Sequence, residues 1–167
     1  TLTVTNGTLT LSDKQGDELA VNTTTVKAQM ASQVAVAANG EYVVVWQSRD
    51  QDGGGEGIYG QRFNAFGQAL GAEFQINTTT VNDQTVPVVG MDASGNFVVV
   101  WESQNQDGEG QGIVMRRFDA DGLPLGGELI VNTMAVDNQT SPAMAMADDG
   151  RFVVVRTYEA LAFFEVQ

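Results

Sequence analysis

The chain contains no cysteine and no histidine. Disulfide bridges, thiol nucleophiles, Ser-His-Asp and Cys-His arrangements and histidine-based metal sites are therefore excluded. Basic residues are scarce: eight Lys and Arg stand against 21 Asp and Glu, a formal net charge of -13. That charge repels nucleic acid and anionic membrane surfaces and attracts cations, calcium foremost. No run of 18 apolar residues is present, so no membrane insertion is expected. Thr1 is not followed by a charged segment and an apolar stretch, so an intact signal peptide is not expected either. Proline is rare, at three residues against 19 glycines, and much of the 43% hydrophobic content is valine. This mix favours strands joined by tight glycine turns, and all-β is the expected class.

What is present is organised by repetition. Gly40, Gly95 and Gly150 are 55 residues apart, as are Trp46 and Trp101. The phrase Glu18-Leu-Ala-Val-Asn22-Thr-Thr-Thr returns as Glu73-Phe-Gln-Ile-Asn77-Thr-Thr-Thr and, as a looser variant, from Glu128 to Asn132-Thr. A fixed period of this size signals a repeat architecture.

Within one unit, 86–91 reads as a strand, 92–95 as a turn and 97–102 as a strand apolar on both faces. The polar loop 103–112, a strand at 113–118, the turn 119–122 and a fourth strand over 128–132 follow. The earlier copy agrees: 33–37, the hairpin turn Asn39-Gly40, 42–47, the loop 48–57, 58–63 and 73–77. Each unit is thus expected to be a four-stranded antiparallel sheet whose central strand is covered on both faces, as in a β-propeller blade.

About three units fit in the chain, whereas closed propellers have roughly four to eight blades. Closure is expected from missing chain or from a homo-oligomer that completes the ring. Residues 1–15 read as an N-terminal hairpin or capping strand, 16–155 as the repeats and 156–167 as a divergent segment. Phe152-Val-Val-Val155 keeps the repeated strand, but Arg156 stands where the period places tryptophan. Residues 162–166 could still form an edge strand.

Four residues are candidate metal ligands: Asp50 and Asp52 in Asp50-Gln-Asp52-Gly-Gly-Gly55-Glu56-Gly57, and Asn105 and Asp107 in Asn105-Gln-Asp107-Gly-Glu109-Gly110. Spaced acidic oxygens with glycines between them suit calcium, although the downstream bidentate carboxylate is missing. A solvated, glycine-rich loop is the alternative. Trp46 and Trp101 end the buried strands beside the same rim and are candidate sugar-stacking residues, with interblade core as the alternative. Arg62 and Arg117 are candidates for an anionic ligand, or for pairing with acidic neighbours. Carboxylate pairs could serve glycoside hydrolysis, but repetition argues for structure and no residue unique to one blade stands out, so no enzyme is expected.

The phrases Gly40-Glu-Tyr-Val-Val-Val-Trp46-Gln-Ser, Asp50 through Arg62-Phe63 and Gly71-Ala-Glu-Phe-Gln-Ile-Asn77-Thr resemble tandem repeats of large secreted bacterial surface proteins. Such proteins often carry hemolysin-type (RTX) calcium-binding or cadherin-like domains as well. The resemblance covers roughly residues 16–155. It implies an extracellular or cell-surface location, a propeller-like fold and a role in adhesion or calcium-dependent stability. The leading expectation is accordingly a calcium-assisted binding or adhesion module whose partner is a glycan or a cell-surface protein. A carbohydrate-binding propeller comes second and a glycosidase-like enzyme third.

Overall fold

The computed structural model describes residues 2–5, 8–12, 18–133, 137–158 and 161–166. Among them the protein is all-β, as expected. An N-terminal sheet contains β1 (Leu2–Thr5), β2 (Thr8–Ser12) and β3 (Glu18–Ala20) in that order. The first blade is β4 (Gln29–Val36), β5 (Tyr42–Arg49), β6 (Glu56–Phe63) and β7 (Phe74–Gln75). The second is β8 (Gln84–Met91), β9 (Phe97–Gln104), β10 (Gln111–Phe118) and β11 (Leu129–Ile130). The third has β12 (Gln139–Met146), β13 (Phe152–Tyr158) and β14 (Leu161–Val166). All the pairings are antiparallel. The first strands of successive blades, β4, β8 and β12, lie against one another.

Alternation of side chains along a strand explains why the blades stack. On β9, Phe97, Val99 and Trp101 join Val43 and Val45 of β5 in one core between the first two blades. Val98 and Val100 point the other way, to Phe152 and Val154 of β13. Tyr42, Val44 and Trp46 face Val21, which follows β3. The continuous apolar runs are strands sandwiched between neighbours, and Val43 to Trp46 are wholly buried.

Three expectations are refined. The fourth strands are two residues long, not five, because the side chain of Asn77 takes over the ladder: its Oδ1 accepts the amide of Ile58 at 2.7 Å. Asn132 does the same for Ile113 at 2.8 Å. The Asn39-Gly40 turn has only Gly40 at positive φ; Asn39 instead accepts the Glu41 amide through its side chain. The N-terminal hairpin pairs with β3, and β14 pairs with β13.

The innermost strands carry a repeated irregularity. Register shifts occur at Met30/Gln33, Thr85/Val88 and Thr140/Ala143, with Ala31, Val86 and Ser141 at φ of 52°, 51° and 54°. These are β-bulges, each set 55 residues from the next. The Val86 amide is capped by Oε1 of Gln47, on the preceding blade, and the Ser141 amide by Oε1 of Glu102.

Candidate functional site: loops, latches and interblade grooves

The acidic loops were the first candidates, and their side chains do not converge. Asp50 holds Lys27 at 3.0 Å, with both groups about half exposed. Asp50 and Asn105 both adopt positive φ, and their amides reach the carbonyls of Gly55 and Gly110 across the loop. Asn105 also accepts the Gly110 amide through Oδ1. Asp52 turns inward: Oδ1 accepts the Gly54 amide at 3.0 Å, and Oδ2 accepts Nε2 of Gln75 at 3.0 Å and Nδ2 of Asn77 at 3.4 Å. Asp107 keeps only the bond from Asn132, at 2.6 Å, and its buried Oδ1 has no partner. The period explains the loss of the side-chain donor, since Ile130 replaces Gln75. Among the described residues no group of three or more His, Cys, Asp or Glu stands close enough to hold a metal ion.

Beside each loop lies a latch between units. Glu73 accepts the Thr23 amide at 2.7 Å, the Thr23 hydroxyl at 3.0 Å, the Thr24 amide and Nε2 of Gln51. Glu128 repeats the set with Thr78, Thr79 and Gln106. Burial would raise the carboxyl pKa of Glu73 and Glu128, but these hydrogen bonds together outweigh it and hold both below the usual value. Tyr59 goes the other way: burial, then the charges of Asp52 and Glu73, push its hydroxyl up to about 12.

Trp46 and Trp101 are both 0% exposed. The expectation that they stack sugar rings is corrected by that burial, because no ring face is open to a ligand. They are core residues of consecutive interfaces.

On the rim opposite the acidic loops, grooves run between the blades. The first, of about 530 Å³, is lined by Glu41, Arg62, Leu70, Phe74 and Asp121 among others. Phe74 is held by edge contact with Phe118, ring centroids 6.0 Å apart. Arg62 donates through Nη1 to the Asp121 carbonyl at 2.6 Å, and its Nη2 lies 3.9 Å from Asp121 Oδ1, so it pairs with an acidic neighbour as one reading anticipated. The second groove, about 230 Å³, includes Asp92, Asn96, Arg117 and Asp149. Asp92 is fixed there by the amides of Ser94 and Asn96, both at 2.9 Å, and by Asn96 Nδ2 at 2.8 Å. The structure thus places Arg62 and Arg117 in equivalent grooves, apart from the acidic loops. Glu41 and Phe74 were not singled out as site residues from the sequence. The signal that could have found them is the pairing of Arg62 with the turn of the following unit.

Against known proteins, no family model matches the sequence, and neither does any curated protein. Solved structures do match. An endo-arabinase from Bacteroides thetaiotaomicron is similar over 96% of this chain at 10% identity with a TM-score of 0.56. A thermostable family-43 glycoside hydrolase is similar over 93% at 10% identity with a TM-score of 0.48, covering 63% of that chain. This chain spans 64% of the length of the endo-arabinase. The blades are therefore those of a propeller-like fold that an enzyme also uses. This corrects the expectation that the chain is not an enzyme, which rested on repetition as a mark of structure alone: a fold shared with an endo-arabinase removes that argument.

Proposed function

We propose that the chain is part of a propeller that binds polysaccharide and cleaves its glycosidic bonds. The observation that supports this most is the shared fold with an endo-arabinase over 96% of the chain. The first groove has a suitable composition and size. It joins an apolar floor, Phe74 and Leu70, to hydrogen-bonding groups on Glu41, Arg62 and Asp121, within about 530 Å³. Ligand pockets typically enclose roughly 300–1,000 Å³ and combine apolar walls with a few placed polar groups.

Glycoside cleavage requires a carboxylic acid that protonates the leaving oxygen and a carboxylate that attacks or activates water. Glu41 and Asp121 are the carboxyl groups of the first groove, and Asp92 and Asp149 those of the second. The reading assigns substrate binding to the first groove and gives Glu41 and Asp121 the acid and base roles.

The test is release of reducing ends from arabinan, alongside retention of the protein on immobilised arabinan. Release that disappears in Glu41→Gln and in Asp121→Asn, with unchanged melting temperature, is the expected result. Folded protein that neither binds nor cleaves any polysaccharide of a broad panel would sink the proposal.

A further inference from the structure

The joint between the first two blades is plugged by a turn. The end of β10 brings Phe118 onto Phe74, and the turn 119–122 then delivers Asp121 to Arg62. Gly122 approaches so closely that a Cβ there would stand 3.0 Å from Cδ of Arg62. Arg62, Leu70 and Phe74 of one blade thus form a socket, and the Phe-Asp-x-Asp-Gly segment of the next blade fills it. In this filled joint all three socket residues are half-buried.

The second blade builds the same socket 55 residues later from Arg117, Leu125 and Leu129, and there it is open. Arg117 is exposed, and its guanidinium makes no hydrogen bond or ion pair among the described residues. Leu125 is 57% exposed, Leu129 52% and the adjoining Ile130 48%.

We propose that Arg117, Leu125, Leu129 and Ile130 form a docking socket for an acidic, glycine-ended turn and strand of the Phe-Asp-x-Asp-Gly kind, contributed by a further repeat of this class. Two observations favour this occupant. The surface continues an interface that the chain already builds once, residue for residue. Arg117 also stands at the position from which Arg62 receives Asp121, and its guanidinium is without a partner among the described residues while Asp92 and Asp149 line the far part of the same groove, so an acidic turn is expected to meet the arginine first. The apolar trio supplies the area to be covered, since an exposed ion pair alone contributes little. The filled socket forms one wall of the first groove, whereas the docking site lies on the second blade, so the variants that test it leave the residues of the glycan reading unchanged.

The experiment uses the full chain in two forms. In the first it is titrated with a synthetic peptide of residues 113–132, with a scrambled peptide as control. Because a lone hairpin is marginally stable, the second form carries the sequence of residues 119–132 appended directly after Gln167, where tethering raises the effective concentration to roughly millimolar. The expected results are saturable peptide binding and a higher melting temperature of the extended chain. Arg117→Glu and Leu129→Asp should each weaken binding at least tenfold and remove the rise. Absence of both effects overturns the proposal, as does persistence of either in Arg117→Glu. Self-association of the unextended chain that Arg117→Glu abolishes and the peptide does not compete would make a whole second copy the occupant, and would overturn it too.

Discussion

The carboxylate of Glu73 accepts the backbone amide of Thr23 at 2.7 Å, across fifty residues of chain. Glu128 closes the same distance in sequence onto Thr78. Each contact ties the short last strand of one blade to the segment that leaves the unit before it. The Glu-x-x-x-Asn-Thr phrase therefore encodes both halves of a latch: its glutamate reaches backward, and its threonine waits for the glutamate of the next copy.

A pH dependence follows from this latch. In the fold the Glu73 carboxyl sits below its ordinary value of 4.5, whereas in the unfolded chain it returns there. A depressed folded pKa means the unfolded state binds the proton first. The stabilisation is complete above about pH 4.5 and is lost as pH falls through the lowered folded value. Glu73→Gln should accordingly melt below the parent at pH 7, with the gap narrowing as acid is added. A gap independent of pH would remove the ionised latch.

The two tryptophans offer a sharper contrast. Because Trp46 and Trp101 fill separate interfaces and are wholly buried, replacing either by alanine should cost about 3–5 kcal/mol. Their fluorescence should resist quenching by acrylamide and stay unchanged when glycan is added. Strong quenching of the native protein would contradict the burial.

The fold was legible in the sequence to a considerable depth, because the signals that set it are local and repeated. Valine runs ending in Trp46 and Trp101 announced strands covered on both faces, and glycines at 40, 95 and 150 marked the turns. Side-chain destinations were not legible. Asp52 looks like an ion ligand in one dimension, yet its Oδ2 faces Gln75 and Asn77, over twenty residues away. Trp46 looked available because its strand ends at a rim, and only stacking of the sheets shows its ring enclosed. Arg62 needed the turn of the following blade to define its groove. Contacts between units depend on how sheets pack, which periodicity alone does not specify.

The comparison of repeats suggests a repair. Asp107 lacks the bond that Gln75 gives to Oδ2 of Asp52, and Ile130 holds the Gln75 position. Ile130→Gln should supply the missing donor and stabilise by about 0.5–1.5 kcal/mol, the usual net value of a hydrogen bond. Ile130 is already 48% exposed, so little apolar burial is forfeited. Urea midpoints of the variant and of Ile130→Gln/Asp107→Ala decide it, since the gain should vanish in the double variant.

The bulges provide the last prediction. Val86 holds φ at 51°, a region in which a β-branched residue is strained by about 1–3 kcal/mol. Glycine relieves that strain but costs about 0.5–1 kcal/mol in chain entropy. Val86 is 42% exposed, which limits the packing lost on truncation. The strain relieved is the larger quantity, so Val86→Gly should raise stability by about 1 kcal/mol, or roughly 2–4 °C in melting temperature for a chain of this size. Ala31 has the same backbone shape without the branch, and Ala31→Gly should gain less. Gln47→Ala works in the opposite direction, because it strips the acceptor from the Val86 amide. Should Val86→Gly melt lower than the parent, the bulge is held by packing of the valine side chain and not endured as backbone strain.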